Sequence, residues 1–194
     1  IRSTSLVSTI AGSLMKLSGK DNGVGTYSKF NNPTKLSISN DGKYALIADS
    51  NNNQIRKFII STHEVSLYVG GVNPVDNANA GYADGMGENA LFNHPTSIAF
   101  SPHNNEYALV SDSTNNQIRL IDLLTKEVSL LVGSPLSSSG SDNGFGTNSK
   151  FNNPVDICIS SFGRYAYVVD AGNNQIRQIN LQTKYVSLFA GASD

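Results

Sequence analysis

Tryptophan is absent from this chain, and cysteine, methionine and histidine occur only once, twice and three times in 194 residues. The single cysteine, Cys158, cannot close an internal disulfide, so no disulfide framework holds the fold. Its setting, the apolar run VDICIS, reads as that of a small buried hydrophobe rather than a reactive thiol. Charge is also scarce, at 15% of residues with a net charge of −1. No bulk attraction to nucleic acid or to an anionic membrane follows from that balance, and the largest basic cluster is the pair Arg56-Lys57. Long hydrophobic runs are missing too: none approaches the roughly 18 residues of a membrane helix. Ser and Thr break up the apolar residues of the opening IRSTSLVSTIAG, which is therefore no signal peptide. Helical periodicity is found nowhere.

What is present is repetition. KFNNP at 29–33 returns as LFNHP at 91–95 and KFNNP at 150–154, placing Phe30, Phe92 and Phe151 62 and then 59 residues apart. A fixed order follows each motif. A first run (TKLSIS, TSIAFS, VDICIS) leads through a turn to a second that ends in Asp (YALIAD, YALVSD, YAYVVD). An Asn-rich turn and NQIR come next, then VSLYVG, VSLLVG or VSLFAG. In the first run Leu36/Ile38, Ile98/Phe100 and Ile157/Ile159 alternate with small residues, the period of a strand. The second run is almost continuously apolar, as suits a strand buried on both faces. NDGK and SFGR supply glycine to the turn between the first two runs, whereas PHNNEY in the middle copy does not.

Four short strands per unit describe a blade of an antiparallel propeller, so the fold class is all-β. Ile1-Arg2 matches the IR of NNQIR, and VSTIAG matches a closing run, so residues 1–12 read as the last strands of a preceding blade. Three whole blades follow with their entry loops, at 13–70, 71–133 and 134–194. About three and a half blades make an incomplete ring, which leaves an apolar face bare at each end. The remaining blades are expected from a longer chain or from a second copy.

The stretch DSNNNQIR looks like an active-site loop, and it returns as DSTNNQIR and DAGNNQIR. Asp49/Arg56, Asp112/Arg119 and Asp170/Arg177 could each position an anion. A catalytic group is needed once, however, and this set appears once per blade. The residues read as a structural hairpin clamp, with Asp accepting from turn amides and Arg lying along the blade surface.

Entry loops of 17, 21 and 17 residues precede the three Phe residues. These loops and the Asn turns should share one face, the usual place for binding on a rigid scaffold. Candidate binding residues there are Asn52, Asn115 and Asn173 from the turns, and Tyr82, Asp84 and Met86 from the longest loop. Asp21, Asp84 and Asp142 offer calcium one hard oxygen ligand per loop, but DNGVG lacks the spaced carboxylates of an EF-hand. No cofactor or metal is therefore expected, with calcium as the alternative.

DNGVGTYSKFNNP and its two relatives, the strand ends AD, SD and VD, and NNQIR resemble the NHL-repeat propellers over residues 1–191. That resemblance implies the propeller fold and several functions: protein-binding platforms, RNA-binding domains, sensor heads and, in a few members, metal-dependent lyases. A lyase would need His or carboxylates converging on the axis, and His63, His94 and His103 fall in scattered turns. RNA binding would need a basic face with stacking aromatics, and these loops are slightly acidic. The expected role is a non-catalytic scaffold for a protein or peptide, with no nucleic acid and no membrane insertion.

Overall fold

A computed structural model describes residues 6–71, 80–103 and 105–192. They form three antiparallel sheets arranged as three consecutive blades of an open propeller, with no closed ring. In the first blade the strands run from the inside outward as Pro33–Ile38, Tyr44–Asp49, Gln54–Ile59 and Glu64–Val69. In the second they are Pro95–Phe100, Tyr107–Asp112, Gln117–Asp122 and Glu127–Gly133. The third comprises Pro154–Ile159, Tyr165–Asp170, Gln175–Asn180 and Tyr185–Ala190.

Each sheet has five strands rather than the expected four. The extra strand is a two-residue piece of the entry loop, Gly23–Val24, Gly85–Met86 or Gly144–Phe145, paired to the outer strand of its own blade. The loop thus reaches the rim, pairs with the first two residues of the outer strand's free edge, and returns inward through the Phe motif.

Blades stack through their apolar faces. Leu46, Ala48 and Tyr68 of the first blade pack against Phe92, Ile98 and Phe100 of the second. Leu109, Ile118 and Leu131 of the second pack in the same way against Phe151, Ile157 and Val168 of the third. At the starting end, among the described residues, 6–12 precede the first blade and form no strand. Phe30 is accordingly half-buried while Phe92 and Phe151 are fully enclosed. A mainly apolar hollow of about 520 Å³ opens there between Ile10, Phe30, Leu36, Ile38 and Phe58. At the other end Val169 and Phe189 are exposed.

Cys158 is exposed as well, contrary to the buried reading. It lies on the forward side of the third blade, where no further blade packs.

Candidate functional site

Every letter of NNQIR has a structural task. Asp49, Asp112 and Asp170 end the second strands, and a single 3-10 turn follows each. The second Asn of the turn (Asn53, Asn116 or Asn174) takes left-handed backbone at φ 54–55°, a conformation Asn tolerates better than most residues. Its side chain also reaches the next blade: His94 N donates to Asn53 Oδ1 at 2.6 Å, and Asn153 N to Asn116 Oδ1 at 2.8 Å. Gln117 and Gln175 bond the carbonyls of Ser134 and Ala192 beyond the closing glycine. That glycine is obligatory, since a Cβ on Gly133 would stand 2.9 Å from Asn116 O at φ +108°. The Ile packs, and the Arg makes the clamp.

In the first blade Asp49 Oδ1 accepts from Asn31 N at 2.7 Å. Its Oδ2 accepts from Asn52 Nδ2 at 2.8 Å and Arg56 Nη1 at 3.1 Å. Arg56 also donates to Lys29 O, Asp21 O and Asn22 Oδ1. The Asp-Arg pair therefore fastens the entry loop to the hairpin, with Phe30 under the guanidinium at 5.6 Å. Arg56, Arg119 and Arg177 are completely buried and do not lie along the blade surface as expected. The third blade repeats these contacts through Asp170, Arg177, Asn173 and Asn143. Burial raises all three clamp carboxyls above the ordinary Asp value despite their hydrogen bonds, and Asp112 is pushed up to about 6.

Asn52, Asn115 and Asn173 occupy positions inside this device. Their Nδ2 groups donate inward, to the clamp carboxylate and to Gly19 O, Gly81 O or Gly140 O. As donors to a ligand they are already engaged.

The second clamp departs from its siblings. Arg119 bonds Asp112 at 3.1 Å, Leu91 O and Ala83 O, and where the others meet an Asn it meets Asp84 at 2.6 Å. The acids of the three loops are consequently not equivalent: Asp21 and Asp142 lie one position earlier in their repeats than Asp84. Those two pair with Lys29 and Lys150, each at 2.7 Å. Leu91 stands in place of the lysine. Tyr82 adds a second ring over Arg119, 4.9 Å from its centroid. Tyr82 keeps 36% of its surface exposed and the Asp84 side chain 48%. Met86 does not join them: it pairs with Glu127 on the outer rim, exposed, a blade's depth from the axis. No group of three or more His, Cys, Asp or Glu residues comes together among the described residues.

A second cluster, missed in the sequence, lies at the axial ends of the blades. Ser97 Oγ donates to Asp156 Oδ1 at 2.6 Å, and Lys35 Nζ donates to the two oxygens of Asp156 at 3.0 and 3.3 Å. Each of the three stands two residues after the motif proline. That column reads Lys, Ser, Asp in an otherwise regular repeat, which was the available signal.

The blade architecture is shared with known proteins. No protein-family model matches the chain. NHL repeat-containing protein 2 of Bos taurus is 34% identical over 163 residues, or 82% of this chain. Its human counterpart is 32% identical over 162 residues, also 82% of this chain. The chain belongs to the NHL-repeat family. It spans 22% of the length of both relatives, so it corresponds to a part of them. A further similar protein is the Arabidopsis thaliana chloroplastic protein SUPPRESSOR OF QUENCHING 1, 32% identical over 78% of this chain and 14% of its own. Among solved structures, an auxiliary nutrient binding protein from Bacteroides ovatus superposes with a TM-score of 0.66 at 18% identity, covering 86% of this chain and 40% of that one. A structural genomics protein from Bacteroides thetaiotaomicron gives 0.63 at 22% identity, covering 84% and 37%. These two likenesses establish the propeller fold and no activity. Among the described residues, no helix is long and apolar enough to cross a membrane.

Proposed function

We propose that this NHL propeller segment is a non-catalytic scaffold that binds a protein or peptide on its clamp face, beside the second blade. One observation carries the reading. Arg119, itself immobilised by Asp112 and two carbonyls, holds Tyr82 and Asp84 in place while leaving each partly open to solvent. An aromatic ring and a carboxylate fixed in this way need little ordering on association, which favours recognition of a partner carrying a basic and an apolar residue. Burial raises the Tyr82 hydroxyl above its ordinary value, so it remains a donor at neutral pH. Asn115 of the clamp is bonded to Gly81 O and Asp112 beside this pair, and Met86 lies apart from it on the rim. The non-catalytic part of the reading rests on the commitment of the clamp groups. Both oxygens of each Asp and both Nη groups of each Arg are engaged by partners from their own blade, while the buried Arg Nε groups have no hydrogen-bond partner among the described residues. Further blades would come from a longer chain or from a second copy.

A random peptide library displayed on phage tests the proposal. Selected peptides should be enriched in Lys or Arg next to an apolar residue. They should lose at least tenfold in affinity for Tyr82→Ala combined with Asp84→Asn, without a large fall in melting temperature. Binders indifferent to both substitutions would refute this location.

A further inference from the structure

The two blade-to-blade junctions share a set of hydroxyl staples near the axis. Thr34 Oγ1 donates to Thr96 O at 2.7 Å and Ser50 Oγ to Pro95 O at 2.6 Å, joining the first blade to the second. Ser113 Oγ donates to Pro154 O, joining the second to the third. Such contacts, together with the apolar faces, fix each blade on its neighbour. None of them connects the first blade to the third.

Lys35 and Asp156 do. They lie 121 positions apart in sequence, on inner strands separated by the whole second blade, and their charged ends meet at 3.0 Å. Ser97 stands between them: its hydroxyl donates to Asp156 Oδ1 and accepts from Ile157 N at 3.2 Å. Burial alone would raise the Asp156 carboxyl, but the hydrogen bonds from Ser97 and Lys35 outweigh it and hold the group lowered, as an anion at neutral pH. The inner strands pair with their neighbours at Pro33↔Asp49, Pro95↔Asp112 and Pro154↔Asp170, so this contact sits two residues inward from the clamps.

We propose that Lys35, Ser97 and Asp156 form a tie across the propeller axis that sets the angle between the first and third blades. Ser97 is the positioning residue, and the other two carry the charge. The angle is a sum of two junction angles, so small tolerances at each junction accumulate in it. One contact that spans both removes the accumulated freedom. Lys35 and Asp156 side chains are 43% and 45% exposed, so the pair adds little to global stability. Its effect lies in geometry and is sensitive to salt.

Pulsed electron–electron distance measurements test the tie, with spin labels at the exposed turn residues Lys43 and Ser161 in a Cys158→Ala background. The parent chain should give one narrow distance distribution, which broadens in high salt. Lys35→Met should broaden it at low salt and abolish the salt effect, with the melting curve unchanged. Ser97→Ala should broaden it less. Exchanging the charges, Lys35→Asp with Asp156→Lys, should restore most of the narrow distribution, an outcome that a packing defect would not produce. A Lys35→Met distribution superimposable on the parent's would overturn the proposal, as would a charge exchange no narrower than either single change.

Discussion

The first and second blades carry nearly the same residues at equivalent places, yet the second is packed on both faces and the first on one. Ile98 and Phe100 are 1% and 8% exposed, whereas their counterparts Leu36 and Ile38 are 56% and 54% exposed. Nothing in the strands themselves accounts for the difference, since pairing and register are the same in both. An NHL blade buries its core against the next blade, not within itself, and a blade at an end is only partly stabilised by its own sequence. Repeat architectures behave this way because each unit contacts only its neighbours. A Phe92→Ala substitution should therefore cost about 3–5 kcal/mol, the range for a fully enclosed aromatic. Phe30→Ala should cost less than half as much. Urea midpoints of the two variants check the contrast, and equal losses would break it.

The clamps sharpen the comparison. Asp49→Asn leaves the buried Arg56 with amides and carbonyls but no carboxylate, and should destabilise by about 3 kcal/mol, as when one partner of a buried ion pair is removed. Asp112→Asn leaves Arg119 with Asp84 at 2.6 Å and should cost only about 1 kcal/mol. The inequality between the two variants, measured by the same unfolding experiment, is the test.

The blades and their order follow from residue pattern, because strand period and turn chemistry are local properties of a sequence. Residue pattern leaves open whether each Arg pairs with its own Asp or a neighbouring one, and in the fold it is its own. The reach of the clamp was not legible. Arg56 touches the entry loop 27 to 35 residues earlier, and only the passage of that loop to the rim and back brings Lys29 O and Asn22 to it. Tyr82 and Met86, four residues apart, read as equivalent anchors in one loop. The rim strand Gly85–Met86 separates them, leaving Tyr82 over Arg119 and Met86 opposite Glu127. The axial tie was hidden for a similar reason, since contact between Lys35 and Asp156 depends on how blades converge. Cys158 was misread because an apolar flanking run indicates a strand, not whether its other side is covered.

The second blade also predicts a pH dependence. The Asp112 carboxyl is raised to about 6 in the fold from an ordinary value of 3.8. The native chain then holds a proton that the unfolded chain releases between those values. This group's contribution is fully favourable below about pH 4 and is lost as pH rises through 6, a cost of about 3 kcal/mol at neutral pH. Asp49 and Asp170 shift in the same direction. Urea unfolding of the parent and Asp112→Asn from pH 4 to 7 should show the parent's slope reduced in the variant, and parallel curves would contradict the buried-carboxyl account.

The smallest expected effect is the most discriminating. Asp84→Asn turns the second clamp into the kind found in the first and third, where Asn22 and Asn143 accept from Arg at 2.7 and 2.8 Å. A half-exposed carboxylate contributes under about 1 kcal/mol to a pair of this sort, so stability should change by less than that. The remaining difference would be salt sensitivity, present in the parent's second blade and lost in the variant. If the substitution instead costs several kcal/mol, Asp84 is part of the blade's structure, and the surface it shares with Tyr82 is no more available to a partner than the buried amide beside it. If stability holds and peptide binding is lost, the same carboxylate is dispensable to the clamp and needed only for recognition, which separates the second blade's role from that of its neighbours.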